Sequence, residues 1–395
     1  GCLDIAFYLG QAFERWNPVT LASGGMGGSE TMAWELARRL RALGHRVRVF
    51  ADCAPEQEGL FDGVEWLQHQ RFGATTCDLL ISSRRPDACN AAELKAGARV
   101  LWVHDVHVGG ALTQQCALRT DRILALSQWH KAYMLSVYNA EHAPYPIAHL
   151  HESDITVTRN GIDLERFDAD GPRNPKRVVY SSSPDRGLTT LLEMWPEILK
   201  AEPEAELHCF YGLDNWEKAV AMNPGHGEGH PFLSATALRR LKHQLRTVPR
   251  VTMHGRVNQE TLAREFLASG VWAYPTWFSE TNCITAYEVQ AAGLYIVTTP
   301  VAALNETVAD RGVRIPGDWE NGNPSQAERQ AFIAAVVAAM REEGQPRTRA
   351  KLQAYARENF GLDSLAEEWD RMIRETHAET VEKVATGVAL FAEWH

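Results

Sequence analysis

Short runs of apolar and β-branched residues alternate with helical patterns along the whole chain, which is typical of parallel α/β sheets. The clearest predicted helix has Met32, Leu36, Leu40 and Leu43 at helical spacing and ends at Gly44. The runs that predict strands are 3–9, 46–51, 78–82, 99–103, 122–126 and 155–157 in the first half, and 177–181, 205–210, 250–254, 271–274, 294–298 and 312–315 in the second.

A polar stretch with one glycine and two prolines, residues 168–176, interrupts this alternation and predicts a domain linker. The segment 160–163, just before it, is interpreted as a hinge. The predicted fold class is therefore α/β, with two Rossmann-like, doubly wound domains that face a central cleft. We predict a first domain at 1–172, a second at 173–370, and a C-terminal helical tail at 371–395.

The end of the tail, residues 381–395, carries the apolar side chains Leu390, Phe391 and Trp394. We expect this segment to pack on the first domain. A contact with the acceptor or with a second copy of the chain is the alternative.

The 395 residues are 45% hydrophobic and 23% charged, which is ordinary for a globular protein with large cores. The net charge of −10 argues against nucleic acid as a partner, because phosphate backbones attract basic surfaces. Arginines nevertheless concentrate between residues 38 and 48. They form either the solvated face of a helix or a patch for an anionic acceptor or a peripheral membrane contact.

The seven cysteines have no paired spacing, which predicts reduced thiols. The chain has no apolar run of about 18 residues that would span a bilayer, and its start lacks the layout of a signal peptide. These features together predict a cytoplasmic location.

Glu280 and Glu288 lie eight positions apart, directly after the apolar run 271–274. A strand that ends there would deliver Glu280 to the carboxyl edge of a parallel sheet, where such folds bind ligands. The backbone N–H groups of residues 282–285 would begin a helix and attract phosphate. Glu288, about one turn later, can accept hydrogen bonds from a ribose while Glu280 meets a sugar. This pattern suits a nucleotide sugar.

The segment 251–311 resembles the C-terminal half of the retaining glycosyltransferases of the glycogen-synthase-like family (GT4 type, GT-B fold). The resemblance is carried by Gly255-Arg256-Val257, by the two glutamates and by the small residues 291–293. It implies that Glu280 orients the transferred sugar. It also implies that the donor is held by a further set of residues: Arg256, Val257, Asn282, Cys283, Ile284, Thr285 and Glu288. Residues 281–283 stand where the family commonly has Gly-Phe-Gly, which indicates an unusual sugar contact.

A glycine-rich loop, residues 21–30, precedes the predicted helix. Its glycines let the backbone approach a ligand, and Ser29 is expected to cap the helix. It matches neither a Walker loop nor the complete dinucleotide fingerprint. It is either a flexible strand-to-helix loop or, as the resemblance implies, a loop that faces the donor phosphates, with Gly27 and Gly28 in contact with the donor.

Three other residues gain a role from the resemblance. His104 ends a predicted strand beside Asp105, at the place where the family has a histidine that contacts the hexose near its reacting carbon. Arg186 matches a lysine that neutralises the diphosphate, and Ser181 stands where the family has an arginine. These two positions thus carry one positive charge where the family has two. Arg256 or the region near Lys218 is expected to supply the missing charge.

Two segments contain metal-ligand residue types. Asp168-Ala169-Asp170 has the D-x-D form but falls in the predicted linker, and the segment 226–230 has two histidines in a glycine-rich loop. Neither has a scaffold that would orient ligands. We therefore predict no obligatory metal or other cofactor.

The predicted activity is transfer of a hexose from a nucleotide diphosphate sugar to a hydroxyl acceptor, with retained configuration. The acceptor is a glycan, a lipid-linked group or a small molecule. The catalytic residues are expected to be Glu280, His104 and Arg186. A sugar-nucleotide epimerase or hydrolase on the same fold is the alternative, and a non-catalytic nucleotide-sugar-binding protein is a second.

Overall fold

The protein is described here from a computed structural model that covers residues 1–140, 149–341 and 345–393. The chain forms two compact units. One contains the residues up to Gly161 and those from Leu362 onward, and the other is Ile162–Gly361. The boundary between the two units at Gly161 and Ile162 falls inside the predicted hinge, 160–163.

The described residues form parallel sheets and helices, as the alternating pattern predicts. The strands are β1 (Asp4–Gly10), β2 (Arg46–Ala51), β3 (Gly59–Phe61), β4 (Val64–Gln68), β5 (Thr76–Ser83), β6 (Lys95–Trp102), β7 (Arg122–Ala125), β8 (Ile155–Val157), β9 (Arg177–Ser181), β10 (Glu206–Phe210), β11 (Val251–Gly255), β12 (Val271–Tyr274), β13 (Tyr295–Thr298) and β14 (Val313–Arg314). The helices are α1 (Pro18–Gly24), α2 (Gly28–Ala42), α3 (Pro86–Cys89), α4 (Gln114–Leu118), α5 (Gln128–Tyr138), α6 (Leu188–Ala201), α7 (Asp214–Met222), α8 (Ala235–Thr247), α9 (Gln259–Leu267), α10 (Ile284–Ala292), α11 (Leu304–Thr307), α12 (Gln326–Arg341), α13 (Gln345–Asn359) and α14 (Leu362–Glu393).

The sheet of the first unit has the strand order β3-β4-β2-β1-β5-β6-β7-β8. All neighbouring strands pair in parallel except β3 and β4, which form an antiparallel hairpin at the edge. The central residue Phe7 pairs with Val49 on one side and with Ile81 on the other. The hairpin was not predicted. Its turn, Asp62-Gly63, has positive φ at both residues, as expected of an Asp-Gly turn.

Helix α2 confirms most of the predicted helix. Met32, Leu36 and Leu40 are buried, but Leu43 is 43% exposed because the helix ends at Ala42. The prediction placed Leu43 inside the helix, whereas Leu43 is the cap residue that follows its last turn. Gly44 has φ 100° and supplies the left-handed turn that ends the helix.

The long helix α14 packs within the first unit. Trp369 lies against Trp102 with ring centroids 4.7 Å apart, and its Nε1 donates to Oγ1 of Thr158 (2.9 Å). α14 runs without a break past residue 370, so the fold has no division at the predicted start of the tail. Trp394 lies outside the described residues, as do the side chains of Leu390 and Phe391. Their predicted contacts stay predictions.

The sheet of the second unit has the order β11-β10-β9-β12-β13-β14, and all its strands are parallel. All four residues of the central strand β12 are buried. The unit begins at Ile162, whose N–H donates to the Phe360 carbonyl (2.9 Å), and the buried Phe167 follows in a short 3₁₀ turn that contacts α9 and α10. The boundary predicted at 172/173 therefore differs from the observed one, because residues 162–172 join the second unit.

Four of the five arginines between residues 38 and 48 form ion pairs with acidic side chains, and the fifth, Arg41, donates to the Gly63 carbonyl. Arg38 lies 2.8 Å from Glu35, and Arg48 lies 3.0 Å from Asp4. These pairs neutralise the local charge and support the interpretation of a solvated helix and strand face.

All seven cysteines are free thiols, as the lack of a paired spacing predicts. Across the part of the chain that the structure describes, every helix falls short of the length and apolar character that crossing a bilayer requires.

Candidate functional site

Three loops at the carboxyl edge of the second sheet carry the predicted donor-binding residues of this unit. They are the loop after β9, which leads to α6, the loop after β11, and the loop after β12, which leads to α10. From β9 the chain adds β10 and β11 on one side, and then β12, β13 and β14 on the other. The boundary between β9 and β12 is therefore a topological switch point, which is where open α/β sheets bind ligands.

Glu280 lies at this switch point, in the loop after β12. Its Oε1 accepts a hydrogen bond from the Tyr274 hydroxyl (2.7 Å) and lies 3.5 Å from Nη1 of Arg186, in the loop after β9. The Tyr274 hydroxyl also lies 3.2 Å from Oγ of Ser182. Because the tyrosine proton is given to the carboxylate, Ser182 donates to the tyrosine oxygen. These contacts fix Glu280 against the loop after β9.

Arg186 keeps its positive charge at this edge. Burial opposes the charge, but the combined attraction of Glu280, Tyr274, Asp185 and Tyr211 outweighs it, so the pKa of Arg186 is raised above its ordinary value. Its guanidinium carbon lies 3.8 Å from the centre of the Phe278 ring, a cation–π contact that holds it in place. Arg186 is thus a fixed cation that can hold phosphate oxygens.

The start of α10 faces the same edge. Cys283 occupies the position before the first helical residue, and within the described residues its side chain makes no capping hydrogen bond. The Thr285 hydroxyl donates to the Ser181 carbonyl (3.1 Å), which ties α10 to the end of β9. Ile284 and Thr285 lie in the first turn, whose N–H groups favour an anion.

The residues that depart from the family pattern are buried. Asn282 donates from Nδ2 to the Tyr287 hydroxyl (2.8 Å), and Tyr287 stacks on Phe360 at 3.9 Å between ring centroids. The Asn282 side chain thereby fixes the loop shape just before α10. Its predicted donor contact stays a prediction.

Glu288 lies on α10 and is only 6% exposed. Burial raises the pKa of its carboxyl to about 7, although the positive charge of Arg166 opposes this shift. Among the described residues the carboxylate has no hydrogen-bond partner. A buried acid of this kind needs a hydroxyl or amide donor, which a ribose supplies.

The loop after β11 contains Arg256 and Val257. Gly255, the last residue of β11, has φ 72°, and it lets the chain turn at the sheet edge. The Arg256 guanidinium carbon lies 5.7 Å from the centre of the Tyr211 ring. Arg256 is therefore a second cation on this edge, and its expected compensation for Ser181 stays a prediction.

The glycine-rich loop of the first unit differs from its prediction. Helix α1 comes between β1 and the loop, so the loop joins two helices and not a strand and a helix. Gly27 is the cap residue of α2, and Gly28 is its first residue. Ser29 does not cap the helix, since its hydroxyl donates to Oε2 of Glu30 (2.9 Å). The prediction for Ser29 was wrong because the helix begins two residues earlier, with Gly27 as its cap.

His104 follows β6 at the carboxyl edge of the first sheet. It is buried against the Trp102 ring, with centroids 4.2 Å apart. Burial, together with the positive charge of Arg84, holds the pKa of His104 well below its ordinary value. The imidazole is therefore neutral at physiological pH.

Arg84 was not predicted as part of this edge. Its Nε lies 2.9 Å from Oδ2 of Asp105, and its Nη1 lies 3.5 Å from Oε1 of Glu30. It thereby links the start of α2 to the residue next to His104. Its φ of 64° is strained for an arginine, which is typical of residues near functional sites.

Neither segment that was weighed as a metal site forms a ligand cluster among the described residues. Asp168 and Asp170 are exposed, and Asp168 lies 3.9 Å from Arg357. His230 lies against Trp277, with ring centroids 4.5 Å apart and planes tilted by 52°.

Comparison with known proteins agrees with this geometry. Residues 175–342 match the family Glycosyl transferases group 1. A D-inositol 3-phosphate glycosyltransferase of Mycolicibacterium smegmatis is 28% identical over 213 residues, which cover 52% of this chain and 45% of that relative. The chain thus spans about half the length of this curated relative.

Two solved structures share the fold. Sucrose-phosphate synthase from Thermosynechococcus elongatus superposes with a TM-score of 0.68 at 14% identity, covering 95% of this chain and 100% of its own. HepE from Anabaena, in complex with UDP and glucose, superposes with a TM-score of 0.64 at 16% identity, covering 94% and 100%.

The two Rossmann-like units and these superpositions show the GT-B fold. The match to the group 1 glycosyltransferases covers residues 175–342, which lie within the second unit. The resemblance and the fold class predicted from the sequence are both confirmed.

Proposed function

We propose that the chain transfers a hexose from a nucleoside diphosphate sugar to an acceptor hydroxyl, as a retaining, metal-independent enzyme of the GT4 type. The observation that carries the proposal is the position of Arg186 beside Glu280, 3.5 Å apart at the switch point between β9 and β12. A cation and a carboxylate next to the start of α10 suit a diphosphate and the sugar attached to it.

The donor is assigned to the second unit, along α10 and the loop after β9. Arg186 and the N–H groups around Ile284 and Thr285 would hold the diphosphate, and Glu288 would accept the ribose hydroxyls. HepE was solved with UDP and glucose, which supports a uridine donor and makes UDP-glucose the first donor to test.

The reaction we propose breaks the bond between the anomeric carbon and the phosphate oxygen and forms a bond from that carbon to the acceptor oxygen. The acceptor proton passes to an oxygen of the departing phosphate, so no protein nucleophile is required. Negative charge grows on the phosphate, and Arg186 and the α10 amides stabilise it. Glu280, fixed by Tyr274, would orient the hexose hydroxyls.

His104 is proposed to contact the hexose. Its lowered pKa supports this role, because a neutral imidazole adds no positive charge beside a carbon that itself becomes positive. A cation at this place would oppose the reaction.

Two finer points belong to the proposal. A required metal is not expected, because Arg186, Arg256 and a helix start supply positive charge. The seven free thiols support a reducing, cytoplasmic setting.

The test combines binding with turnover. UDP-glucose, GDP-mannose and ADP-glucose are compared by thermal shift, since a bound donor raises the melting temperature by mass action. Turnover is then measured with an acceptor panel that includes D-inositol 3-phosphate, with and without EDTA, and the product anomer is read by NMR. Glu280→Gln should lower turnover about 100-fold, the scale of losing a group that acts on the transition state.

Glu260→Gln, a change at an exposed glutamate of the same unit, is the matched control and should leave turnover unchanged. Equal turnover in Glu280→Gln would reject the assignment. Nucleotide release at the same rate without any acceptor would indicate a hydrolase, and an inverted product anomer would reject retention alone.

A further inference from the structure

A cluster of metal-ligand side chains lies elsewhere on the second sheet, toward its β10–β11 side. It consists of His208 on β10, His254 on β11 and Glu265 on α9. One ligand atom from each residue lies within 4.8 Å of the others. Two strands and a helix therefore bring two imidazoles and a carboxylate to one point.

Hydrogen bonds determine which histidine atoms face the cluster. Arg177 donates from Nη2 to Nδ1 of His208 (2.9 Å) and also forms an ion pair with Glu265. Because Nδ1 accepts, the His208 proton is on Nε2, which lies 3.2 Å from Oε1 of Glu206. A carboxylate behind an imidazole orients histidines that bind metals in the same way.

His254 completes the group. Its Nε2 lies 2.7 Å from Nδ1 of His208, at hydrogen-bond distance, so the two proposed ligand nitrogens are adjacent. The His254 ring is also stacked on Phe210, with centroids 4.5 Å apart and planes 9° apart, which limits its rotation. The ligand directions are thus set by packing as well as by hydrogen bonds.

We propose that His208 Nδ1, His254 Nε2 and a Glu265 oxygen bind a zinc ion, with water as the fourth ligand. Two imidazoles and one carboxylate are a donor set that zinc prefers, whereas magnesium prefers oxygen ligands alone. Without zinc, the Arg177 guanidinium supplies the positive charge between Glu265 and His208. Zinc binding moves that guanidinium aside, so Arg177 acts as a competitor.

The bound ion would connect β10, β11 and α9. His254 directly precedes Gly255 and the loop with Arg256, so zinc would also fix the end of β11. This site lies outside the Arg186 and Glu280 pair, and zinc is not expected to be required for turnover.

The test measures zinc binding to the full chain after treatment with EDTA and dialysis, by competition with a chromophoric chelator. Wild type should bind one equivalent, and His254→Gln should weaken binding at least tenfold. His243→Gln, at an exposed histidine on α8, is the matched control and should bind as wild type does. Excess magnesium should not displace the zinc.

Arg177→Gln gives an independent check, because removal of the competing cation should tighten zinc binding about tenfold. Circular dichroism establishes that each variant is folded. If wild type binds no zinc, or if His254→Gln binds it as tightly as wild type, the proposed site is wrong. A cobalt(II) spectrum that is identical in wild type and His254→Gln would overturn it equally.

Discussion

Arg186 and Glu280 are 94 positions apart in the sequence, yet Nη1 of the arginine lies 3.5 Å from Oε1 of the glutamate. The contact joins the loop after β9 to the loop after β12, which are adjacent only because these strands pair in the sheet. A diphosphate would give Arg186 a second anionic partner here. Both residues of the pair would then act on the same ligand, one on its phosphates and the other on its sugar.

Replacement of Arg186 separates the need for charge from the need for a guanidinium. Arg186→Lys keeps the positive charge and restores the residue common in the family, so turnover should fall less than tenfold. Arg186→Gln removes the charge and leaves the partly buried Glu280 without its cation, so kcat should fall more than about 100-fold. Steady-state kinetics with saturating donor measures both effects.

The control for this comparison is Arg239→Gln, a change at an exposed arginine on α8. It removes one positive charge from the same unit and should leave kcat unchanged. If Arg186→Lys and Arg186→Gln lose the same activity, the charge is not what matters.

Tyr274 is predicted to position Glu280. Its pKa is raised well above the ordinary value, because burial and the charge of Glu280 both disfavour a phenolate, so the hydroxyl stays a donor. Tyr274→Phe removes only that hydroxyl. Since a hydrogen bond to a charged group contributes about 1.5–3 kcal/mol, kcat/KM should fall about 10- to 100-fold.

A double-mutant cycle distinguishes positioning from a simple loss of stability. In the Glu280→Gln background, Tyr274→Phe should have little further effect on kcat/KM. A full additional loss in that background would show that Tyr274 acts independently of Glu280.

The sequence predicted most of the strands but missed the antiparallel hairpin at one edge of the first sheet. Arg46–Ala51, Ile155–Val157, Arg177–Ser181 and Val271–Tyr274 have the predicted bounds, because buried parallel strands are continuous apolar or β-branched runs between polar residues. The hairpin of β3 and β4 was missed, because Gly59, Glu65 and Gln68 divide its apolar residues into pieces too short to predict a strand. Its Asp62-Gly63 turn was the available signal.

The candidate site was predicted only where it is local in sequence. The spacing of Glu280 and Glu288 pointed to one loop and one helix, and both residues lie there. Tyr274 was interpreted as part of an apolar strand, because its hydroxyl contacts depend on which strand lies beside β12. Arg84 was missed for the same reason: its two acidic partners lie on other elements.

Gly187 should tolerate no side chain. Its φ is 144°, and a Cβ atom added there would lie 2.7 Å from the Pro275 carbonyl oxygen. Gly187→Ala should therefore lower the free energy of unfolding by about 1–3 kcal/mol or more. It should also separate the loops after β9 and β12, and so reduce donor binding. Thermal denaturation and donor titration measure the two effects.

Gly171→Ala is the matched control. Gly171 has ordinary φ and open space around its Cβ position, so the change should stay within about 0.5 kcal/mol. If Gly187→Ala is as stable as Gly171→Ala, the close approach of Gly187 to Pro275 is not a constraint on the fold.

Glu288 should make stability depend on pH in the direction opposite to that of most acids. Its pKa in the folded protein is about 7, against an ordinary value of 4.5. The folded state therefore holds its proton more tightly than the unfolded state. The stabilisation is fully present below pH 4.5 and is lost as the pH rises to about 7, by roughly 3 kcal/mol. Denaturant unfolding at pH 5 and pH 8 should show this loss in wild type and not in Glu288→Gln.

The same carboxyl gives donor binding a pH dependence of the opposite sign. An ionised Glu288 accepts hydrogen bonds from both ribose hydroxyls, whereas the protonated form must donate one of its own. With a pKa of about 7, the ionised fraction rises about tenfold between pH 6 and pH 8, and donor affinity should rise by up to that factor. UDP-glucose is the suitable probe, because its diphosphate does not titrate in this range. Isothermal titration should show the rise in wild type and a flat response in Glu288→Gln. A flat response in both proteins would place the ribose elsewhere, since a bound ribose that used this carboxylate would have to compete with its proton.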